Sequence, residues 1–502
     1  MSDARVGMAP EGVPEQREDL LGTTDAGPAA IRGSAIRMAA IGATVLISVG
    51  ASALLYRHLG VTRTGHYMTI VALVTLCGGL TDAGLQAIGV RALATRDAAE
   101  RFQFMRSLGG LRLALALGGV MIAVVFALAV GYSATLVLGT LIYGIAMILI
   151  VLQDTYSINL IAGMRNTWVA AAELLRILVM TIAIVALVAA GAGLLPFYAA
   201  SIPAALAVVC LTGWLVHREA PLLPSINLPA WRRLLGDTIS FSLATAVTAA
   251  YYRIAIVVVS LVSTAHQTGY FSVSYRVIEV LFSLPVTLVG VAFPIFARAA
   301  RDDPARLSYA VGRVFDTLWI LALACALGLV VGAPVIIKII AGPRFTESIT
   351  VLRIQGISVV ATFVGAVCGY TLLSLHRHRQ ILIASLGALV LTVTLTGVLG
   401  AVDGARGAAI GTTLSEFALV VMLASAVYSS GLRPAVTPHA FVRSLLAVAL
   451  GAATLAIPGL PDVAKLVLAL VIYGTLLLLL RAVPDEILAV LPRPLGSRPA
   501  AR

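Results

Sequence analysis

Three charged side chains raise the first question: Arg253, Arg276 and Glu279 lie within apolar runs long enough to cross a bilayer. The second of these runs is SYRVIEVLFSLPVTLVGVAFPIFAR, residues 274–298. Charges inside a membrane are costly and mark sites by default. Arg276 and Glu279 share one helix face at i,i+3 spacing and can pair in cis, which alone would explain their tolerance. Arg253 sits on the preceding run. Counted from the outer ends of their helices, both arginines lie about 10 Å deep. Two guanidinium groups against one carboxylate leave an excess of positive charge. A planar guanidinium fork grips phosphate oxygens bidentately, so a diphosphate is the expected ligand class.

Other residues form a second tier. Asp82, in LTDAGL, reads equally as a ligand for Na⁺ or H⁺ and as the partner of Arg37. Gly78, Gly79 and Gly84 around it permit close packing or a bend. Glu416, in TTLSEFALV, lines the second half of the protein or meets a partner distant in sequence. Tyr251, Tyr252, Tyr270 and Tyr275 read first as membrane-interface anchors; the rival for the cluster is stacking on sugar faces, with Tyr252 and Tyr275 the candidates taken to the site. Glu173 and Arg176 read mainly as a structural pair near a helix end. Arg112 is expected to snorkel to the headgroups, and Asp154 also lies near a helix end. Pro285 and Pro294 would bend the helix carrying Arg276, as a gate or as a plain kink. Cys77, Cys210, Cys325 and Cys368 read as small buried hydrophobes. The sequence shows no catalytic or metal-ligating set. No cofactor is expected, and coupling to Na⁺ or H⁺ is left open.

The elements that position these residues follow from composition. The chain has 502 residues, 60% hydrophobic and 12% charged, against roughly 25% charged in soluble proteins. Only lipid-facing surface accounts for the deficit. The fold class is therefore an all-α polytopic membrane protein. At about 20 residues per span, the apolar runs between 35 and 481 give about fourteen transmembrane helices, read as two six-helix lobes plus two extra C-terminal helices. The expected divisions are a disordered cytoplasmic tail (1–30), an N-lobe (31–216), a cytoplasmic linker (217–236), a C-lobe (237–430), spans 13 and 14 (431–482) and a cytoplasmic tail (483–502). Trp231, in the linker, reads as an interface anchor.

The 35 basic residues set the orientation: with the N-terminus inside, about 24 fall in inner segments and their flanks. Both termini are then cytoplasmic. The net charge of +12 thus reads as a topology signal and not as a nucleic-acid surface. The outer loops are short, with isolated acids such as Glu347, Asp403 and Asp462, which argues against a membrane glycosyltransferase or polymerase.

The chain also repeats itself. TRTGHYMTIVALVTLCGGLTDAGLQAIGVRA (62–92) and AHQTGYFSVSYRVIEVLFSLPVTLVGVAFPIFARA (265–299) each open on Thr-Gly-aromatic and end on a basic residue. An even number of spans per unit makes these parallel repeats, an architecture of transporters that bind substrate between the lobes.

Several segments in order resemble a known family: YRHLGVTRTGHY, LTDAGLQAIGVR, YYRIAIVVVSLVSTAHQTGYFSVSYRVIE, GPRFTESITVLRI, HRHRQ and VDGARGAAIGTTLSEF. Over roughly residues 34–430 the chain resembles the polysaccharide flippases of the Wzx type, within the multidrug/oligosaccharidyl-lipid/polysaccharide exporter superfamily. The resemblance implies a central cavity with cations for a lipid diphosphate. It also matches Arg276 and Glu279 to the Arg and Glu three apart on the eighth span of lipid II flippases. The implied function is translocation of a polyprenyl-diphosphate-linked oligosaccharide across the bacterial cytoplasmic membrane by alternating access. The implied partners are that lipid-linked oligosaccharide, membrane lipids, a polysaccharide polymerase and glycosyltransferases, with no nucleic acid. The rival within the superfamily is a drug or cation antiporter, which favours acidic cavity residues.

Overall fold

The computed structural model describes residues 26–82, 84–95, 98–218, 223–480 and 482; for 26–43, 94, 95, 98, 99, 237–241, 244, 252 and 302 the description stops at the backbone. Among these residues all regular structure is helical. The helices are α1 (Ala26–Asp82), α2 (Leu85–Thr95), α3 (Ala98–Ala129), α4 (Ala134–Ala162), α5 (Asn166–Ala189), α6 (Leu194–Ala199) and α7 (Ser201–Val216). They continue with α8 (Leu228–Val262), α9 (Ala265–Asp302), α10 (Pro304–Ile340), α11 (Glu347–Ser374), α12 (His378–Ser429), α13 (Pro438–Ala452) and α14 (Asp462–Leu479).

Eleven helices among the described residues are long and apolar enough to cross a membrane, and the bent α8 makes a twelfth. Two of these are hairpins. At 57 residues, α1 would run about 85 Å if straight, against a hydrocarbon core of about 30 Å. It reverses at Gly60, whose φ of 72° is costly for any residue with a Cβ. The Tyr56 hydroxyl consequently reaches Met68 Sδ at 3.9 Å, which a straight helix forbids. Likewise α12 turns back at Asp403–Gly404, so that Gly411 abuts the Leu395 carbonyl. Counting each arm separately brings the crossings to about fourteen, the number expected from the apolar runs.

α1 is central. It packs on α3, α4 and α5 on one side and on α8 and α9 on the other. α11 packs against α9, α10 and α12, while α13 and α14 pack on each other and on α10. That last contact is a separate cluster around Leu323, Leu327 and Val331 with Ala447, Ala469 and Tyr473. Within lipid there is no hydrophobic force between helices, so small residues and polar contacts carry the association. Trp319 Nε1 donating to Ser444 Oγ at 3.0 Å and Tyr473 Oη donating to the Ile320 carbonyl at 2.8 Å serve that purpose.

The Thr-Gly repeat has a clear structural meaning. A Cβ on Gly65 would overlap the Ala265 carbonyl, and one on Gly269 would overlap that of Val61. Each glycine thus meets the residue four positions before the other, a reciprocal crossing of α1 and α9. Thr64 and Thr268 are buried there. Thr62 Oγ1 and His266 Nδ1 share a hydrogen bond of 3.1 Å, and Arg57 Nη2 donates to the Lys338 carbonyl at 3.0 Å. Backbones in contact pin α1 to α9 at this end of the bundle.

A second repeat emerges that the sequence reading missed. The Ser225 N–H donates to the Arg106 carbonyl at 2.9 Å, and the Ala435 N–H to the Ser308 carbonyl at 3.1 Å. Four residues beyond each acceptor, Gly110 and Gly312 lie against the Ser225 and Ala435 carbonyls. PSINLPAW and PAVTPHAF therefore clamp α3 and α10 in the same way.

Some expectations change. α1 already begins at Ala26, inside the tail expected over 1–30; residues 1–25 and 483–502 lie outside the described residues. α8 starts at Leu228 within the expected linker, capped by Asn227 Oδ1 accepting from the Ala230 N–H. Trp231 is turned into the protein, not toward headgroups: its Nε1 donates to the Ser107 carbonyl at 2.9 Å. Cys77 is buried, but Cys210 is exposed. α9 continues as a helix through Pro285 and Pro294.

Candidate functional site

A cleft lies between α1, α4 and α5 on one wall and α8 and α9 on the other. One part holds a cavity of about 590 Å³, lined by Ser48, Tyr56, Tyr67, Tyr143, Arg176 and the Arg253–Arg276–Glu279 group. The adjoining part, of about 580 Å³, adds Asp82, Tyr275 and Phe282 and shares Asp154, Arg253 and Glu279 with the first.

Glu279 is the hub. Its Oε1 accepts from Arg253 Nη2 at 2.6 Å and its Oε2 from Arg276 Nη1 at 2.7 Å. The similar depth inferred from the sequence thus brings both arginines onto one carboxylate. α8 bends by 48° between Tyr251 and Arg253, immediately before the arginine it delivers. Arg276 Nη2 also reaches Ser48 Oγ on α1 at 3.4 Å, so the ionic group bridges both walls. Arg253 and Arg276 keep about a third of their side-chain surface exposed, 31% and 35%. Donors therefore remain open to the cleft, which a fully closed ion pair would lack.

Asp82 does not stand free. Arg112 donates to its Oδ1 through Nε at 3.0 Å and Nη2 at 2.5 Å. Arg112, expected to snorkel, is instead 2% exposed. It had to pair, because a buried charge without a partner is untenable. The rival partner, Arg37, falls among residues without described side chains, as does Tyr252. An Arg112→Ala change leaves Asp82, 29% exposed toward the cleft, without its partner and is expected to cost about 1.5–3 kcal/mol. A thermal-melt series by fluorescence-detected size exclusion checks this: Arg112→Ala alone falls far, and Arg112→Ala with Asp82→Ala recovers part of the loss.

Glu173 and Arg176 form their i,i+3 ion pair, as read. They line the cleft, however, rather than ending at the membrane interface. Asp154 also faces the cleft and makes no hydrogen bond or ion pair among the described residues. Tyr275 lines the cleft but is 8% exposed, stacked on Phe271 at 5.7 Å. Tyr251 and Tyr270 are equally buried, so these three tyrosines pack within the protein and do not anchor in headgroups. Tyr251 hydrogen-bonds Glu416, which gives that carboxylate a partner on α8 away from the cleft lining.

The charge is thus uneven along the cleft. Nearer the α1–α9 crossing, two arginines face one carboxylate. Toward the end where α4 and α5 meet, Asp154 and Glu173 face Arg176. The sequence signalled the first region through one i,i+3 pair and one neighbour. Asp154, Tyr56, Tyr67 and Tyr143 gave no such signal, because none has a charged partner at helical spacing that points it toward the cleft.

Fold and cleft together define a polytopic, all-helical membrane protein with a charged cleft between two helical walls. Among solved structures it is similar to the lipid II flippase MurJ in an inward closed conformation, with a TM-score of 0.74 at 13% identity over 90% of this chain and 99% of that one. It is also similar to an inward-facing multidrug resistance MATE transporter, at TM-score 0.61 and 15% identity over 78% of this chain and 96% of that one. A third match is a superfamily transporter from Pyrococcus furiosus described by the reverse polarity of its binding pocket, at TM-score 0.51 and 16% identity over 79% and 96%. No curated protein matches the sequence. The polysaccharide biosynthesis protein family model matches residues 54–350. The chain belongs to that family.

Proposed function

We propose that the protein is a flippase that moves a polyprenyl-diphosphate-linked oligosaccharide across the bacterial cytoplasmic membrane, with both termini in the cytoplasm. The observation that carries this is the Arg253–Glu279–Arg276 group, two half-open guanidinium groups at one depth in a cleft between two walls. The diphosphate would take over the donors that Glu279 now holds in part. Glu279 would keep the arginines oriented and reclaim them at release. The sugar would travel in the cleft beside Tyr56, Tyr67 and Tyr143, and the lipid tail would stay in the bilayer. The α1–α9 crossing would part as the lobes rock, opening that end. Membership of a polysaccharide biosynthesis family supports the substrate class, and the fold shared with a lipid II flippase supports the motion.

A second reading has its own observation. Asp154, unpaired among the described residues and close to Glu173, suits a cation, as in an antiporter. Equilibrium binding to the purified protein separates the two. The flippase reading expects a polyprenyl-diphosphate oligosaccharide to bind at least tenfold more tightly than its monophosphate, about 1.4 kcal/mol, the scale of one charge-assisted bond. Tighter binding of an organic cation, with no preference for diphosphate, would favour the antiporter.

A further inference from the structure

The α9–α10 turn holds a recess outside the cleft. It is a cavity of about 380 Å³ lined by Pro294, Ile295, Arg298, Ala299, Asp303 and Arg306. Arg298 and Arg306 are both exposed, and neither side chain makes a hydrogen bond or ion pair among the described residues. Asp303 also lines the recess, where its Oδ1 accepts the Arg306 N–H at 2.9 Å and caps α10, so one carboxylate stands against the arginines. A third arginine, Arg301, stands in the last turn of α9. Two open guanidinium groups beside a short apolar wall favour an anion.

The neighbouring surface says which anion. Leu284, Leu288, Val291 and Ile295 are 40%, 45%, 78% and 53% exposed. Their spacing of four, three and four residues puts them on one face of α9, and Arg298 continues the same face three residues on. At 1.5 Å per residue, the stripe from Leu284 to Ile295 is about 16 Å long, close to half of a 30 Å hydrocarbon core. An acyl chain confined to one leaflet has that length; a polyprenyl tail far exceeds it. The stripe and the arginine recess therefore form an apolar track with a cationic end.

We infer that this track binds one anionic phospholipid, its phosphate between Arg298 and Arg306 and an acyl chain along the α9 stripe. The ligand contributes a phosphodiester monoanion to charge-assisted hydrogen bonds from both guanidinium groups. A zwitterionic headgroup brings an ammonium against the same arginines and is disfavoured. The site is separate from the substrate group, yet α9 contributes to both, through Arg298 and through Arg276 and Glu279. A bound lipid thus braces the half of α9 opposite Arg276 and Glu279 and would make activity depend on anionic lipid.

Native mass spectrometry of the full-length protein tests this, with phosphatidylglycerol and phosphatidylcholine of matched chains as probes. The wild type should retain one phosphatidylglycerol in preference to phosphatidylcholine. Arg298→Gln with Arg306→Gln should reduce that preference about 30-fold, while the Lys pair keeps most of it and controls for folding. Equal retention of the two lipids by the wild type would overturn the inference, as would an unchanged preference in the Gln pair. Displacement by inorganic phosphate at the same concentration would reduce the recess to a simple anion site and overturn it too. Preferential retention of a polyprenyl diphosphate through these arginines would also overturn it, assigning the recess to the transported lipid instead.

Discussion

Arg276→Ala is expected to slow lipid-linked oligosaccharide transport by about 10–150-fold, because a hydrogen bond to a charged group contributes about 1.5–3 kcal/mol. The guanidinium lost is one of two that share Glu279, so Arg253→Ala should act in the same direction. Arg276→Lys should recover part of the rate, since it keeps the charge and loses the planar fork. Glu279→Gln separates a substrate role from a structural one. If the arginines serve the diphosphate, removing the competing carboxylate tightens binding and slows release. If the trio only holds α8, α9 and α1 together, Glu279→Gln weakens folding and transport as much as either arginine change. Binding affinity and transport rate measured on the same variants distinguish these outcomes.

The second large effect belongs to the α1–α9 crossing. Gly65→Ala and Gly269→Ala each place a methyl group against a backbone carbonyl. Backbone cannot swing aside as a side chain can. Overpacking of this kind costs about 1–3 kcal/mol per site. The cost falls only on the state in which the crossing is made, so the double variant should shift the balance away from that state by at least about 30-fold. A cysteine replacing Ser48, which lines the cleft, reports the shift in a background lacking the four native cysteines. Its labelling by an impermeant maleimide from the extracytoplasmic side should accelerate in the double variant, while transport falls. Labelling that stays at the level of the parent would mean that the crossing is a fixed joint, not a gate.

What the sequence disclosed depends on how far apart the interacting residues lie. Arg276 and Glu279 are three apart on one helix, so their pairing needed no tertiary information. Arg253 joined them because its depth could be counted from a helix end. The Thr-Gly repeat was visible as a pattern, although its meaning, two glycines crossing reciprocally, required both helices in place. Asp82 and Arg112 were each visible but not as a pair, because thirty residues and a helix break separate them. The direction in which Glu173, Arg176 and Asp154 face was also hidden. A span apolar on every side carries no periodic stripe to tell its cleft face from its lipid face. The same uniformity made three buried tyrosines read as interface anchors. Trp231 misled for a different reason: its proline-rich context reads as a loop, while Asn227 and Pro229 in fact start a helix that presses the indole onto α3.

The central claim is that this cleft carries a diphosphate-linked sugar across the bilayer. Its most direct test is a proteoliposome assay with a fluorescent polyprenyl-diphosphate oligosaccharide, scored by protection of the sugar from an external quencher. The flippase reading expects protein-dependent equilibration between leaflets that fails with Arg276→Ala. Folded, reconstituted protein that moves none of the labelled lipid, yet exports organic cations, would contradict it.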